Sequence, residues 1–248
     1  MLLEFAGTYE DLVVPYRGMS LEDFAKHVGM DVREVCRLAD RGTLPGQKVG
    51  GQWRFNRARV TEWLQQEMPN FDEDRLIGLE RAMGAAASEM TVTEMIGLEG
   101  VDVTLAANTR ASVLRELVNL AQRTGLLYDD KSLLKALEER EAMCSTALPG
   151  GVAIPHPRQP MPYVSAEPFV CVARLSRGIG FGSPYRDLTR LFFLICCHDD
   201  RYHLRVLARL VRILDQGMID QLMAVETREE LLQMMIDKEK RIVAEARD

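Results

Sequence analysis

Residues 150–158 read Gly150-Gly151-Val152-Ala153-Ile154-Pro155-His156-Pro157-Arg158. One histidine stands between two prolines, after a short apolar run with the composition of a buried strand. Proline fixes φ at about −65° and removes a backbone donor. It also pushes the residue before it out of the helical region. His156 is therefore expected on stiff, extended backbone at the end of a strand, presented rather than packed. Histidine titrates near neutrality and can act as a nucleophile. Taken alone, such a residue reads first as part of a proline-rich surface turn, so its surroundings have to decide.

Those surroundings form an ordered series. TRASVLRELVNL at 109–120, ALEERE at 136–141, STALPGGVAIPH at 145–156, the apolar strand 191–195 and His203-Leu204 at a helix start follow one another. Through these pieces residues 91–240 resemble the fructose/mannitol/nitrogen-type enzyme IIA domain of the bacterial sugar phosphotransferase system. The resemblance implies an α/β fold, a mixed central sheet flanked by helices on both faces. It also implies that the histidine of the first motif takes a phosphoryl group from the histidine-containing phosphocarrier protein. His156 holds that position. His203 matches the family's second histidine, and Arg140 matches the arginine of its Arg-Glu motif. At a helix N-terminus His203 would sit where backbone N–H groups and the helix dipole favour an anion. Arg140 offers a planar fork suited to phosphate. The plainer alternatives are a polar helix-start residue for His203 and a surface ion pair with Glu138 or Glu141 for Arg140. The resemblance implies no cofactor. The chain departs from the family at Pro157, where a small residue is usual. It departs again at FGSPYRDLT (181–189), which lacks an acidic-glycine turn, and in the short loop 199–202.

Periodicity gives the same fold class. Strands are expected at 101–105, 152–155, 169–175 and 191–197, and helices at 109–124, 130–140, 204–214 and 227–237. That alternation belongs to an α/β domain. His198, at the end of the last strand, is an additional candidate beside His203. Five residues apart in a loop is not a specific metal-ligand spacing, and no metal is expected. His27 reads as structural.

A different unit precedes this domain. Ser20 with Asp23 marks a helix start, followed by an apolar stripe at Leu21, Phe24, Ala25 and Val28. Gly29 breaks it. Asp31 can cap a second helix whose inward residues are Val32, Val35, Cys36, Leu38 and Ala39. Two short strands around Gly50-Gly51 follow, then a helix capped by Asn56. Through RGTLPGQKVGGQWRF (41–55) and VTEWL (60–64), residues 19–68 resemble the excisionase/MerR-like winged helix-turn-helix. From 41 to 59 there are five basic residues and no Asp or Glu. Arg33 and Arg37 lie four apart on the outer face of the second helix. Arg33, Arg37, Arg41, Lys48, Gln52 and Arg54 are the candidate DNA contacts, to phosphates and base edges. The alternative is a degenerate winged helix used for protein contacts. One small module binds duplex weakly, so a homodimer is expected.

Residues 1–18 contain Phe5, Leu12, Val13 and Val14, which could form a docking strand or hairpin. Residues 69–90 read as a helical connector, with a helix over 72–90 that either contacts a second copy or packs on the following domain. The chain has 248 residues, 47% of them hydrophobic, and a net charge of −6. Global charge therefore gives no nucleic-acid signal. No run spans a bilayer and no signal peptide is read, so no membrane insertion is expected. Five cysteines without paired spacing, with Cys171, Cys196 and Cys197 in apolar strands, suit a reducing cytoplasm. The expected function is a regulator that accepts phosphate on His156 and couples it to DNA binding. The alternatives are a transport IIA component relaying phosphate to a separate carrier, and an interaction protein on a IIA scaffold.

Overall fold

The computed structural model of the chain describes residues 18–84, 91–184 and 186–245. The apolar stretch read in residues 1–17 lies outside them. Helix α1 (Leu21–Val28) opens on a capping box in which Ser20 and Asp23 each accept the other's backbone N–H. Two donors that a helix leaves free are thereby satisfied. Asp31 caps α2 (Val32–Asp40) by accepting from the amides of Arg33 and Glu34. Strands β1 (Gly46–Val49) and β2 (Gln52–Phe55) pair as an antiparallel hairpin. Its turn residues Gly50 and Gly51 have φ of 57° and 80°, which glycine adopts without steric cost. Asn56 caps α3 (Arg57–Glu67), and a 3-10 turn at Met68–Asn70 leads into α4 (Glu73–Ala82), capped by Asp72. Two helices, a wing and a third helix thus occupy the first part of the chain.

Helix α4 is shorter than the helix expected over 72–90. It ends on Met83, and Gly84 at φ 82° turns the chain out of the helical path; residues 85–90 lie outside the described ones. Its apolar face is not free for a second copy, because Leu76, Leu79 and Met83 are buried within the chain. Helix α1 crosses α4 at two glycines. A Cβ on Gly29 would stand 2.2 Å from the Gly78 carbonyl oxygen, so only glycine allows this approach.

The second part comprises β3 (Val101–Leu105), α5 (Arg110–Arg123), α6 (Asp130–Met143), β4 (Ala147–Leu148), β5 (Val152–Ala153), β6 (Phe169–Ile179), β7 (Thr189–Cys196), α7 (Asp200–Ile213), α8 (Gln216–Ala224) and α9 (Arg228–Glu245). The five strands form one mixed sheet in the order β3-β6-β7-β5-β4. The β3–β6 and β5–β7 pairs are parallel; β6–β7 and β4–β5 are antiparallel. Strand β7 shows the two-residue period directly. Phe192, Leu194 and Cys196 face the cluster built with Val113, Leu117, Leu133 and Leu137 of α5 and α6. Leu191, Phe193 and Ile195 face the opposite cluster. Strand β4 and helix α8 were not expected from the sequence.

That opposite cluster does not stop at the second part. It runs without a break through Leu204 and Leu210 of α7 and Leu79 of α4 to Met68, Leu64, Phe55 and Phe24. One apolar core therefore joins the winged unit to one face of the sheet. A polar clamp accompanies it. Glu80 of α4 accepts from Arg209 at 2.9 Å and from Arg212 at 3.0 Å, both on α7. Glu239 of α9 accepts from Arg209 at 3.3 Å and from the amides of Val92 and Thr93 at 2.8 Å. Buried charges require such partners.

Candidate functional site

The strand expected at 152–155 is only two residues long, but its pairing continues. The Ile154 amide donates to Thr146 O, and Pro155 O accepts from the Ile195 amide. His156 follows immediately. Its Nδ1 lies 2.7 Å from its own segment's Ile154 O. A carbonyl oxygen only accepts, so Nδ1 carries the proton. The lone pair of the neutral ring is then on Nε2, which is buried and has no hydrogen-bond partner. Burial, then His203 and Arg140, hold His156 well below the usual imidazole range, which keeps the ring neutral.

His203 stacks beside it, with ring centroids 4.9 Å apart and planes at 46°. Its Nε2 is also buried and unpartnered. Burial and then Arg140 lower it to about 4, with Asp199 opposing. His203 is the fourth residue of α7 rather than its opening one. Asp199 caps that helix by accepting from the Tyr202 amide, and the His203 amide donates to Asp199 O. The cap thus takes up one of the first-turn N–H groups, that of Tyr202. Arg140, on α6, is buried and directs Nη1 to Cys144 O at 2.9 Å and Cys144 Sγ at 3.1 Å. No ion pair joins it to Glu138 or Glu141 among the described residues. Glu141 turns the other way and accepts from the Thr146 amide and hydroxyl. Burial pushes its carboxyl up. It fixes the segment against which Ile154 pairs, a role the sequence reading missed.

His156 and Arg140 line a cavity of about 270 Å³ together with Cys144, Ser145 and Thr146. Ile154, Leu207 and Val211 add to its wall, and the winged unit closes one side with Gln65, Gln66, Met68 and Pro69. Here the expectation of a presented histidine fails. His156 is 2% exposed and His203 5%. Helix α3 and the following turn pack on this face. Glu62 on α3 pairs with Arg158, two residues past His156, at 3.2 Å. Gln66 approaches Cys144 Sγ at 3.8 Å.

The candidate DNA contacts lie elsewhere on the winged unit. Arg33, Arg37, Arg41, Lys48 and Gln52 are exposed. Arg54 is half-buried and donates to Gln52 Oε1 at 2.7 Å. Lys48 pairs with Asp40 at 3.0 Å and lies over Trp53, which pins the wing to α2. Glu34 on α2 accepts from Arg75 of α4 at 2.8 Å.

His198 stands apart from the pair, with Nε2 3.1 Å from Ser165 Oγ. His27 is half-buried on α1, lowered to about 4 by burial and then by Arg57 and Arg201. Cys171, Cys196 and Cys197 are buried free thiols. Among the described residues no cluster of three metal-ligating side chains occurs, and no helix is long and apolar enough to cross a membrane.

The family described as the phosphoenolpyruvate-dependent sugar phosphotransferase system EIIA 2 matches residues 94–238, and a helix-turn-helix domain matches residues 19–68. A nitrogen regulatory protein of Bradyrhizobium diazoefficiens is 32% identical over 139 residues, 54% of this chain and 88% of that protein. A fructose-specific EIIA component of the phosphotransferase system in Haloferax volcanii is 30% identical over 148 residues, 59% of this chain and 86% of that protein. The crystal structure of nitrogen regulatory protein IIA-Ntr from Neisseria meningitidis matches with a TM-score of 0.53 at 23% identity, over 58% of this chain and 98% of that one. That last likeness is one of fold.

Proposed function

The chain belongs to the EIIA 2 family of the phosphoenolpyruvate-dependent sugar phosphotransferase system, and on that premise we propose that His156 accepts a phosphoryl group and reports it to DNA. The observation that carries the reading is the buried, unpartnered Nε2 of a neutral His156 beside His203 and Arg140. The donor is the histidine-containing phosphocarrier protein. His156 Nε2 attacks the donor's phosphorus, a new N–P bond forms, and the donor's N–P bond breaks with its electron pair returning to the donor imidazole. The His156 ring becomes cationic as the bond forms. The Nδ1–H donated to Ile154 O stabilises that charge where it develops. Arg140 and His203 face the phosphoryl oxygens, and the new dianion draws a proton toward His203.

The DNA half of the reading rests on the helix-turn-helix match and on the exposed basic residues of α2 and the wing. Arg33, Arg37, Arg41, Lys48, Gln52 and Arg54 serve as contacts. A homodimer supplies the second module that specific binding needs. The setting is the cytoplasm, with the donor proteins. Regulation is favoured over transport because a phosphate relay has no use for a DNA reader, and because one relative is named a nitrogen regulatory protein. The test is to incubate the protein with phosphoenolpyruvate, enzyme I and the phosphocarrier protein and to locate phosphate by mass spectrometry. Acid-labile label on His156, lost in His156→Ala and slowed in His203→Ala, is expected. No label from any phosphocarrier would leave the scaffold reading instead.

A further inference from the structure

The wall that the winged unit contributes to the cavity has a consequence for any protein donor. For transfer the donor's phosphorus must come to about 3–3.5 Å from His156 Nε2. A donor protein does this by seating a surface on the rim around that atom, and even transient protein contacts bury several hundred Å², roughly, on each side. The cavity of about 270 Å³ accommodates a phosphoryl group but not the donor's own loop. The rim is already occupied. Gln65, Gln66, Met68 and Pro69 close one side, and Glu62 holds Arg158 at 3.2 Å. His156 and His203 are 2% and 5% exposed.

We propose that α3 and the turn after it occupy the surface on which the phosphoryl-donor protein must land, so that the DNA reader and the donor compete for one face of the IIA domain. The proposal rests on the reading of His156 as phosphoryl acceptor. Transfer then proceeds only from a minor arrangement in which α3 has left the rim. For two-state elements of this kind the minor state is populated at about 0.1–10%. The apparent rate of labelling is reduced by that fraction. The donor is the histidine-phosphorylated carrier protein of the proposed function, and Arg140 beside the neutral imidazole suits a transferring anion.

The experiment uses the full chain in paired forms. Glu62→Arg and Arg158→Glu each turn the rim ion pair into a repulsion. Each is expected to speed labelling of His156 by phosphorylated carrier protein by about two- to five-fold, the range an exposed pair commands. The double exchange, Glu62→Arg with Arg158→Glu, should return the rate toward wild type. In the opposite sense, Glu62→Cys with Arg158→Cys, in a chain whose Cys36 and Cys144 are replaced by Ser, is joined by a short bis-methanethiosulfonate reagent. Joining should slow labelling by about ten-fold or more against the unjoined form of the same chain, and reductant should restore it. Diethyl pyrocarbonate modification of His156, followed by mass spectrometry, reads access without any carrier. Labelling at equal rates in the joined and unjoined forms would overturn the proposal. If no form takes label while the diethyl pyrocarbonate rate still answers to the tether, the donor reading falls, and with it the competition, leaving ordinary domain packing.

Discussion

At the scale of single residues, the site depends on two imidazoles kept neutral by burial. His203 titrates at about 4 in the fold against the ordinary 6.5. Its folded pKa is depressed, so the unfolded chain binds the proton first as pH falls. Its contribution is therefore full above about pH 6.5, is lost as pH falls from 6.5 toward 4, and levels off below. The size is about 2–3 kcal/mol between pH 7 and pH 4.5. His203→Gln removes this dependence. Urea midpoints measured for both proteins across that range should therefore converge at acid pH, and parallel curves would refute the assignment. Much of this scale was legible. Ser20, Asp31, Asn56 and Asp72 all read as helix starts, and each caps a helix. The approach of residues 62–69 to the face that holds His156 was not legible, because they lie almost a hundred positions earlier by chain.

At the scale of elements, α4 and α7 are held by apolar contact and by Glu80. Glu80→Ala would leave Arg209 and Arg212 short of their shared partner in a buried setting. Breaking such a pair typically costs about 3–5 kcal/mol. Glu80→Gln keeps an acceptor oxygen and should cost less. Chemical denaturation of the two variants checks the order. Long periodic segments were read with small errors at their ends. Two short elements escaped. Strand β4 is two residues long before Pro149 and offers no period to count. Helix α8 had a visible cap in Asp215, whose side chain accepts from the Met218 amide at 2.8 Å. Gly217 in its first turn and only three buried residues hid the rest.

At the scale of the whole molecule, the order of the two units and the class of the second were legible, because each carries its own periodic pattern. Their mutual packing was not. Its polar contacts join residues such as Glu80 and Arg209, 129 apart, and a single sequence carries no sign of such a pairing. The packing changes what a coupling experiment should find. The chain from His203 runs along α7 to α4, and from Arg75 of α4 to Glu34 on the exposed second helix. If phosphate on His156 alters DNA affinity by the usual coupling of about 1–3 kcal/mol, replacing residues 85–90 by a glycine-serine segment of equal length should leave most of that coupling in place. DNA affinities of both phosphorylation states, with and without the replacement, measure it. Loss of coupling in the replaced chain would assign transmission to the linker instead.

The unbroken apolar core also bears on how such a chain can be rearranged. By sequence it looks like two cassettes, each transferable to another protein at the joint near residue 90. By packing it is not. A cut there would strip α7 of the side chains that cover its outer face and leave Arg209 and Arg212 without Glu80. An exchanged reader would have to bring its own matching α3 and α4 surfaces. The unit that can be inherited whole is therefore the reader, its fourth helix and the receiving helix α7 together, and changes at positions 62, 80, 158, 209 and 212 should travel as a set.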